Sequence, residues 1–181
     1  MKYLITNRQY NLIKEEEELS FPFEFFNNDW NLVLSSMKGR PFHIQGDLDL
    51  TFKKIESLEG LESVGGDLSL VASKIKSLGN LESVGGFLDM GRTKFKSLGN
   101  LKSVGDDLNL PESDIESLGN LQSVGQSLYL SSSEIESFGN LKSVGGSLYL
   151  EFTPISEKYS EEDIRQMIDV KGEIELWNFF F

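Results

Sequence analysis

The chain has no cysteine, a single histidine and four prolines in 181 residues. Without cysteine there is no disulfide, no thiol nucleophile and no thiolate-bound zinc. His43 alone cannot build a multi-histidine metal centre. No apolar run approaches the roughly 20 residues that cross a bilayer. The opening Met1-Lys2-Tyr3-Leu4-Ile5-Thr6-Asn7-Arg8 turns polar too early for a secretory signal. Positive charge is scarce, with 17 basic residues against 29 acidic ones and a net charge of −12. A broad nucleic-acid surface needs clustered Lys and Arg, so composition argues against one. These shortages exclude thiol enzymes and most metalloenzymes, and they give no reason to expect a metal, a cofactor or a membrane. What is present suffices for one buried core: 39% of the residues are hydrophobic and 11% aromatic.

An internal repeat organises that core. Gly46-Asp47-Leu48-Asp49-Leu50 returns at 66, 86, 106, 126 and 146, every 20 residues without insertion. Five full units run from 46 to 145. Each Leu-x-Leu reads as a short strand with its leucines inward. Two further apolar pairs complete the unit, for example Ile115/Leu118 and Leu121/Val124. About six inward side chains per unit cannot be buried by one coil, so stacking of coils at about 4.8 Å is required. Glycines recur at 79, 99, 119 and 139 and again at 65, 85, 105, 125 and 145, where corners with φ > 0 are expected. Asn80, Asn100, Asn120 and Asn140 form a ladder suited to binding free backbone groups at a bend. Serines at 57, 77, 97, 117 and 137, and at 63, 83, 103, 123 and 143, read as small polar spacers rather than nucleophiles.

The expected fold is a β-rich repeat solenoid of about seven coils with a parallel sheet, leucine-rich-repeat-like or right-handed β-helix-like. Three regions follow: an N-terminal cap over 1–45, the solenoid over 46–150, and a C-terminal cap with the last strand over 151–181. In the first cap, Thr6 and Gln9 suggest a capping box for a helix over 7–17, with Glu15 to Glu18 as a solvated end. Phe21, Phe23, Phe25 and Phe26 supply apolar bulk, and Asn28 is expected to start a helix through Trp30, Leu32, Val33 and Met37. At the other end Ser160 before Glu161, Glu162 and Asp163 reads as an N-cap. Val170-Lys171-Gly172-Glu173-Ile174-Glu175-Leu176 repeats the unit's phrase and is expected to be a seventh strand, with the helix replacing the return path. Trp177-Asn178-Phe179-Phe180-Phe181 is expected to be a lid over the last coil or, alternatively, a sticky tail.

Leu81-Glu82-Ser83-Val84-Gly85-Gly86-Phe87-Leu88-Asp89-Met90 resembles the units of leucine-rich-repeat-like solenoids of the receptor L-domain type. The opening Tyr3-Leu4-Ile5-Thr6-Asn7-Arg8-Gln9-Tyr10 and the segment Tyr159-Ser160-Glu161-Glu162-Asp163-Ile164-Arg165 are similar to uncharacterised bacterial and phage-encoded members. The resemblance implies a rigid surface for binding another macromolecule and supplies no catalytic residue. The lack of a secretory signal departs from the secreted members, and a cytoplasmic protein is expected, of a bacterium or of a phage-infected host.

Two outward columns of the Leu-x-Leu strands form the candidate binding face. One holds Asp47, Asp67, Phe87, Asp107, Ser127 and Ser147. The other holds Asp49, Ser69, Asp89, Asn109, Tyr129 and Tyr149. Tyr129 and Tyr149 with Phe87 would be aromatic anchors rimmed by acid. Carboxylates about 5 Å apart suit Ca²⁺ ligation or a glycosidase pair in principle. An open face tunes carboxylate pKa values weakly, so a solvated or protein-binding face is the better reading. A second edge is charge-segregated: Lys54, Lys74, Lys94, Asp114 and Glu134 in one column, Glu56, Lys76, Lys96, Glu116 and Glu136 in the next, with Lys53, Arg92 and Glu112 nearby. That pattern reflects either duplication of neighbouring repeats or steering of a partner with a complementary dipole. The net charge is −1 over 1–45, −6 over 46–145 and −5 over 146–181. His43 reads as structural.

The expected function is a non-enzymatic interaction module for an unidentified protein, as a monomer or weak homo-oligomer. A structural, self-associating solenoid or virion component is the alternative. A Ca²⁺- or carbohydrate-binding solenoid comes third.

Overall fold

The computed structural model describes Thr6, Gln9, residues 19–94 and residues 96–176. The expected helix over 7–17 (Gln9 apart), the Glu15 to Glu18 run, Phe95 and the tail from Trp177 lie outside the described residues. Thr6 and Gln9 do exchange the two bonds of a capping box: the Thr6 N–H donates to Gln9 Oε1 (2.6 Å) and the Gln9 N–H to Thr6 Oγ1 (3.2 Å).

The chain forms a β-solenoid of parallel strands in about six turns. The Leu-x-Leu segments build a seven-stranded parallel sheet from Leu48–Asp49 to Ile174–Glu175. Their register is the repeat itself, with Leu128 opposite Leu108 and Leu148. One parallel sheet was expected, and there are two. The Ser-Val segments, read only as spacers beside an apolar pair, form strands of an eight-stranded sheet. Isolated bridges join Ser97, Ser117 and Ser137 along the third side of the coil. Two residues per strand are too few for a period of two to show, which is why this sheet escapes a search for alternation.

Backbone bonds join successive coils in both sheets, as in Gly105 N–H to Val84 O (2.9 Å) in the eight-stranded sheet and Leu88 N–H to Asp107 O (2.9 Å) in the seven-stranded one. All three expected apolar pairs point inward, and Leu108, Leu110, Ile115, Leu118 and Leu121 are all fully buried.

The corners are held by side chains of the repeat. Each serine at 57, 77, 97, 117 and 137 accepts the N–H two residues on, as Ser117 Oγ does from Gly119 (3.1 Å). Asn100 and Asn120 donate to the carbonyls of Gly79 and Gly99 in the coil below. Gly79, Gly99, Gly119 and Gly139 have φ of 57–60°, as expected. The other glycine column does not have positive φ. A Cβ on Gly85, Gly105, Gly125 or Gly145 would lie 1.8–2.2 Å from a carbonyl oxygen of the coil below, so close backbone approach requires glycine there. The left-handed residues of the remaining corner are not glycine at all: Phe52, Ala72, Arg92, Glu112, Ser132 and Phe152 have φ of 52–59°.

The N-terminal end is closed by an aromatic plug. The strand Ser20–Pro22 pairs with Phe42–Gln45, so the eight-stranded sheet begins ahead of the first Leu-x-Leu unit. A 3-10 turn over Phe23–Phe26 and helix α1 (Trp30–Met37) follow. Phe21 stacks on Phe42 at 5.7 Å, and Trp30 lies 5.9 Å from Phe42. Asp29, not Asn28, caps α1, accepting from Asn31 and Leu32. Asn28 instead has φ of 54°, which breaks the chain just ahead of the cap.

At the C-terminal end α2 (Pro154–Lys158) and α3 (Glu161–Met167) replace the return path, and the chain rejoins both sheets at Asp169–Val170 and Ile174–Glu175. Ser160 and Asp163 form the cap of α3, and the Ser160 hydroxyl and N–H hold the Asp163 carboxyl below its usual range. Among the described residues no helix is long and apolar enough to cross a membrane.

Candidate functional site

The outward face of the seven-stranded sheet brings both predicted columns together in register. Tyr129 and Tyr149 stack face to face, with centroids 4.6 Å apart and planes within 3°. Both are half-buried, as are Phe87, Asp89 and Asn109. Asn109 lies below the pair and Glu175 above it. Parallel in-register strands set equal residues side by side, so the identity of positions 129 and 149 alone dictates the stack.

The aspartates of the other column have a structural duty that sequence reasoning missed. Asp47 Oδ1 accepts the N–H of Asp67 (2.9 Å), Asp67 Oδ1 that of Phe87 (2.9 Å), and Asp107 Oδ1 that of Ser127 (2.8 Å). Ser127 and Ser147 continue the ladder to Ser147 and Glu173. The signal was available, since the column holds short oxygen-bearing side chains at 47, 67, 107, 127 and 147, each able to reach the next corner N–H. Asp67→Ala is therefore expected to cost about 1 kcal/mol by leaving the Phe87 N–H unpaired, whereas Asp67→Asn keeps an acceptor and should unfold in urea as the native chain does. Equal midpoints for native and Ala chains would refute the ladder.

Asp49 and Asp89 act locally: each accepts the N–H two residues on, from Thr51 and Gly91. The Thr51 hydroxyl and N–H hold the Asp49 carboxyl below its usual range, with Lys53 adding a smaller pull. Asp47, Asp49, Asp67, Ser69 and Phe87 surround a shallow depression of about 240 Å³ at the base of the face.

The segregated edge is paired in part. Arg92 meets Glu112 at 3.0 Å, Lys76 meets Glu56 at 2.9 Å, and Lys96 pairs with Glu116. The boundary between basic and acidic coils is thus spanned by ion pairs between adjacent coils, which offset the like-charge repulsion within each half. These pairs are exposed and worth little each. Lys54, Lys74, Lys94, Asp114 and Glu134 are exposed on the same edge. His43 sits at the foot of the second serine column, its Nδ1 2.7 Å from Ser63 Oγ and its Nε2 3.5 Å from Glu62.

Among the described residues no three His, Asp or Glu side chains gather as a metal ion would need. No family model, curated protein or solved structure matches the chain.

Proposed function

We propose that the chain is a non-enzymatic interaction module that binds another protein through the outward face of the seven-stranded sheet. The stacked Tyr129–Tyr149 pair carries this reading. Two rigid aromatic side chains, fixed against each other on adjacent strands, present a contact surface with little entropy left to lose on binding. The solenoid behind them is closely packed and supplies the rigidity. The repeat phrases support a coil of the receptor L-domain type, and the phage-like segments support a partner within a bacterial or phage-infected cytoplasm.

The alternatives have less support. A sugar platform uses an exposed ring face, and here the facing surfaces of the two rings are covered by each other. End-to-end association is opposed at both ends of the eight-stranded sheet. Pro22 removes a donor from the outermost strand at one end, and Arg165 occupies two edge carbonyls at the other.

The test is an affinity capture from the source cell, comparing the native chain with Tyr129→Ala/Tyr149→Ala. A protein held by the native chain and lost from the folded double variant supports the module. Equal capture by both chains, or an oligomeric mass with nothing captured, overturns it.

A further inference from the structure

We infer that the depression at the base of this face receives an arginine or lysine side chain of the partner protein. This rests on the reading of the seven-stranded face as the contact surface. That face is charged with one sign only. One column holds Asp47, Asp67, Asp107 and Glu173, the other Asp49, Asp89 and Glu175, and neither holds a lysine or arginine from 47 to 175.

Elsewhere on the described surface acids and bases are interspersed, and several of the acids are paired. Glu56, Glu82, Glu112, Glu116, Glu161 and Asp169 each meet a Lys or Arg within 4 Å. None of Asp47, Asp67, Asp89 and Asp107 takes part in an ion pair among the described residues, although the chain carries 17 cations. Like charges on adjacent parallel strands, about 4.8 Å apart, repel. The backbone ladder needs only an acceptor oxygen, which Asn or Ser would also supply, as Ser127 and Ser147 do. The charge at 47 and 67 is thus surplus to what the fold requires.

The depression gives that surplus a geometry. Asp47 and Asp67 each spend Oδ1 on the ladder, which leaves the second oxygen of each for a ligand. The Asp49 carboxylate lines the same depression, and Phe87 forms a wall. A long cationic side chain fits this combination: its aliphatic stem lies on Phe87, and its head group meets the carboxylates. A guanidinium also matches carboxylate oxygens with paired donors. An anionic partner is repelled, and a neutral one leaves the repulsion in place.

The probe is a fluorescein-labelled hexapeptide of alternating glycine and arginine. Its counterpart carries citrulline, which keeps the shape and removes the charge. Fluorescence anisotropy is expected to show binding of the arginine peptide. Asp47→Asn/Asp67→Asn, which keeps both ladder acceptors, should weaken it about tenfold, as should Phe87→Ser. Glu134→Gln/Glu136→Gln, on the segregated edge, should leave it unchanged. Binding should also fall as salt rises. Equal affinity for the citrulline peptide, no effect of Asp47→Asn/Asp67→Asn, or an equal loss in the edge variant would overturn the inference. The two readings fail separately. A cellular partner lost from the tyrosine variant but kept by Asp47→Asn/Asp67→Asn leaves the module standing and removes only the cation site.

Discussion

Gly125→Ala is expected to destabilise the solenoid by about 3 kcal/mol, through overpacking against backbone. A Cβ at position 125 would lie 1.8 Å from the Gly105 carbonyl oxygen and 2.7 Å from its carbon. The Gly125 N–H bonds Val104 O at 2.9 Å, so the coils cannot part there without loosening the ladder of the eight-stranded sheet. Because the contact is with main chain, no rotamer change can relieve it. For a chain of this size the loss corresponds to a melting temperature roughly 6–12 °C lower. Gly99→Ala is the comparison. It has φ of 60° and nothing within 4 Å of the added methyl, so only left-handed strain opposes it, at about 1 kcal/mol. Calorimetry of the two variants separates the causes. A Gly125→Ala melt no lower than that of Gly99→Ala would refute the close-approach account.

The same pair of glycines marks how far the sequence could be read. Both columns announce themselves by periodicity, and both suggest corners. Only one column turns on φ. The other depends on the separation of neighbouring coils, a quantity that exists only after stacking. The left-handed corner from Phe52 to Phe152 was invisible for the reverse reason, since its residues share no type and none is glycine. The seven-stranded sheet, the inward leucines, the seventh strand and the Ser160 cap were legible because local pattern and tertiary need agree there. The second sheet was not, because Ser-Val offers two residues and no alternation. At the candidate site the tyrosine stack follows from register alone. The aspartate ladder and the depression beside Phe87 depend on corner geometry, which turned three carboxylates read as a binding column into backbone acceptors as well.

Removing one side chain should open the C-terminal end. Val144 O accepts the Lys171 N–H at 3.0 Å, and Gly146 O accepts the Gly172 N–H at 2.8 Å. One coil later, at Val170 and Gly172, no further coil follows among the described residues. Arg165 fills that role from α3: Nη1 donates to Val170 O at 2.8 Å and Nη2 to Gly172 O at 2.9 Å. Glu161, one turn earlier, holds Nε at 2.8 Å and orients the fork. The guanidinium thus stands where two backbone N–H groups of the next coil would be. Arg165→Met keeps much of the stem and leaves the buried Ile164 of the same helix in place, but both carbonyls lose a charged donor. The expected loss is about 2 kcal/mol, discounted for partial exposure. Repeat proteins fray from their ends, so hydrogen exchange should quicken at Lys171 and Gly172, whose bonds hold the last coil. Around Ser103 and Val104 it should stay slow. An exposed acceptor edge also invites pairing between chains, so the variant should show concentration-dependent mass that the native chain lacks. Unchanged exchange at 171–172 would mean that the side chain decorates the end without closing it.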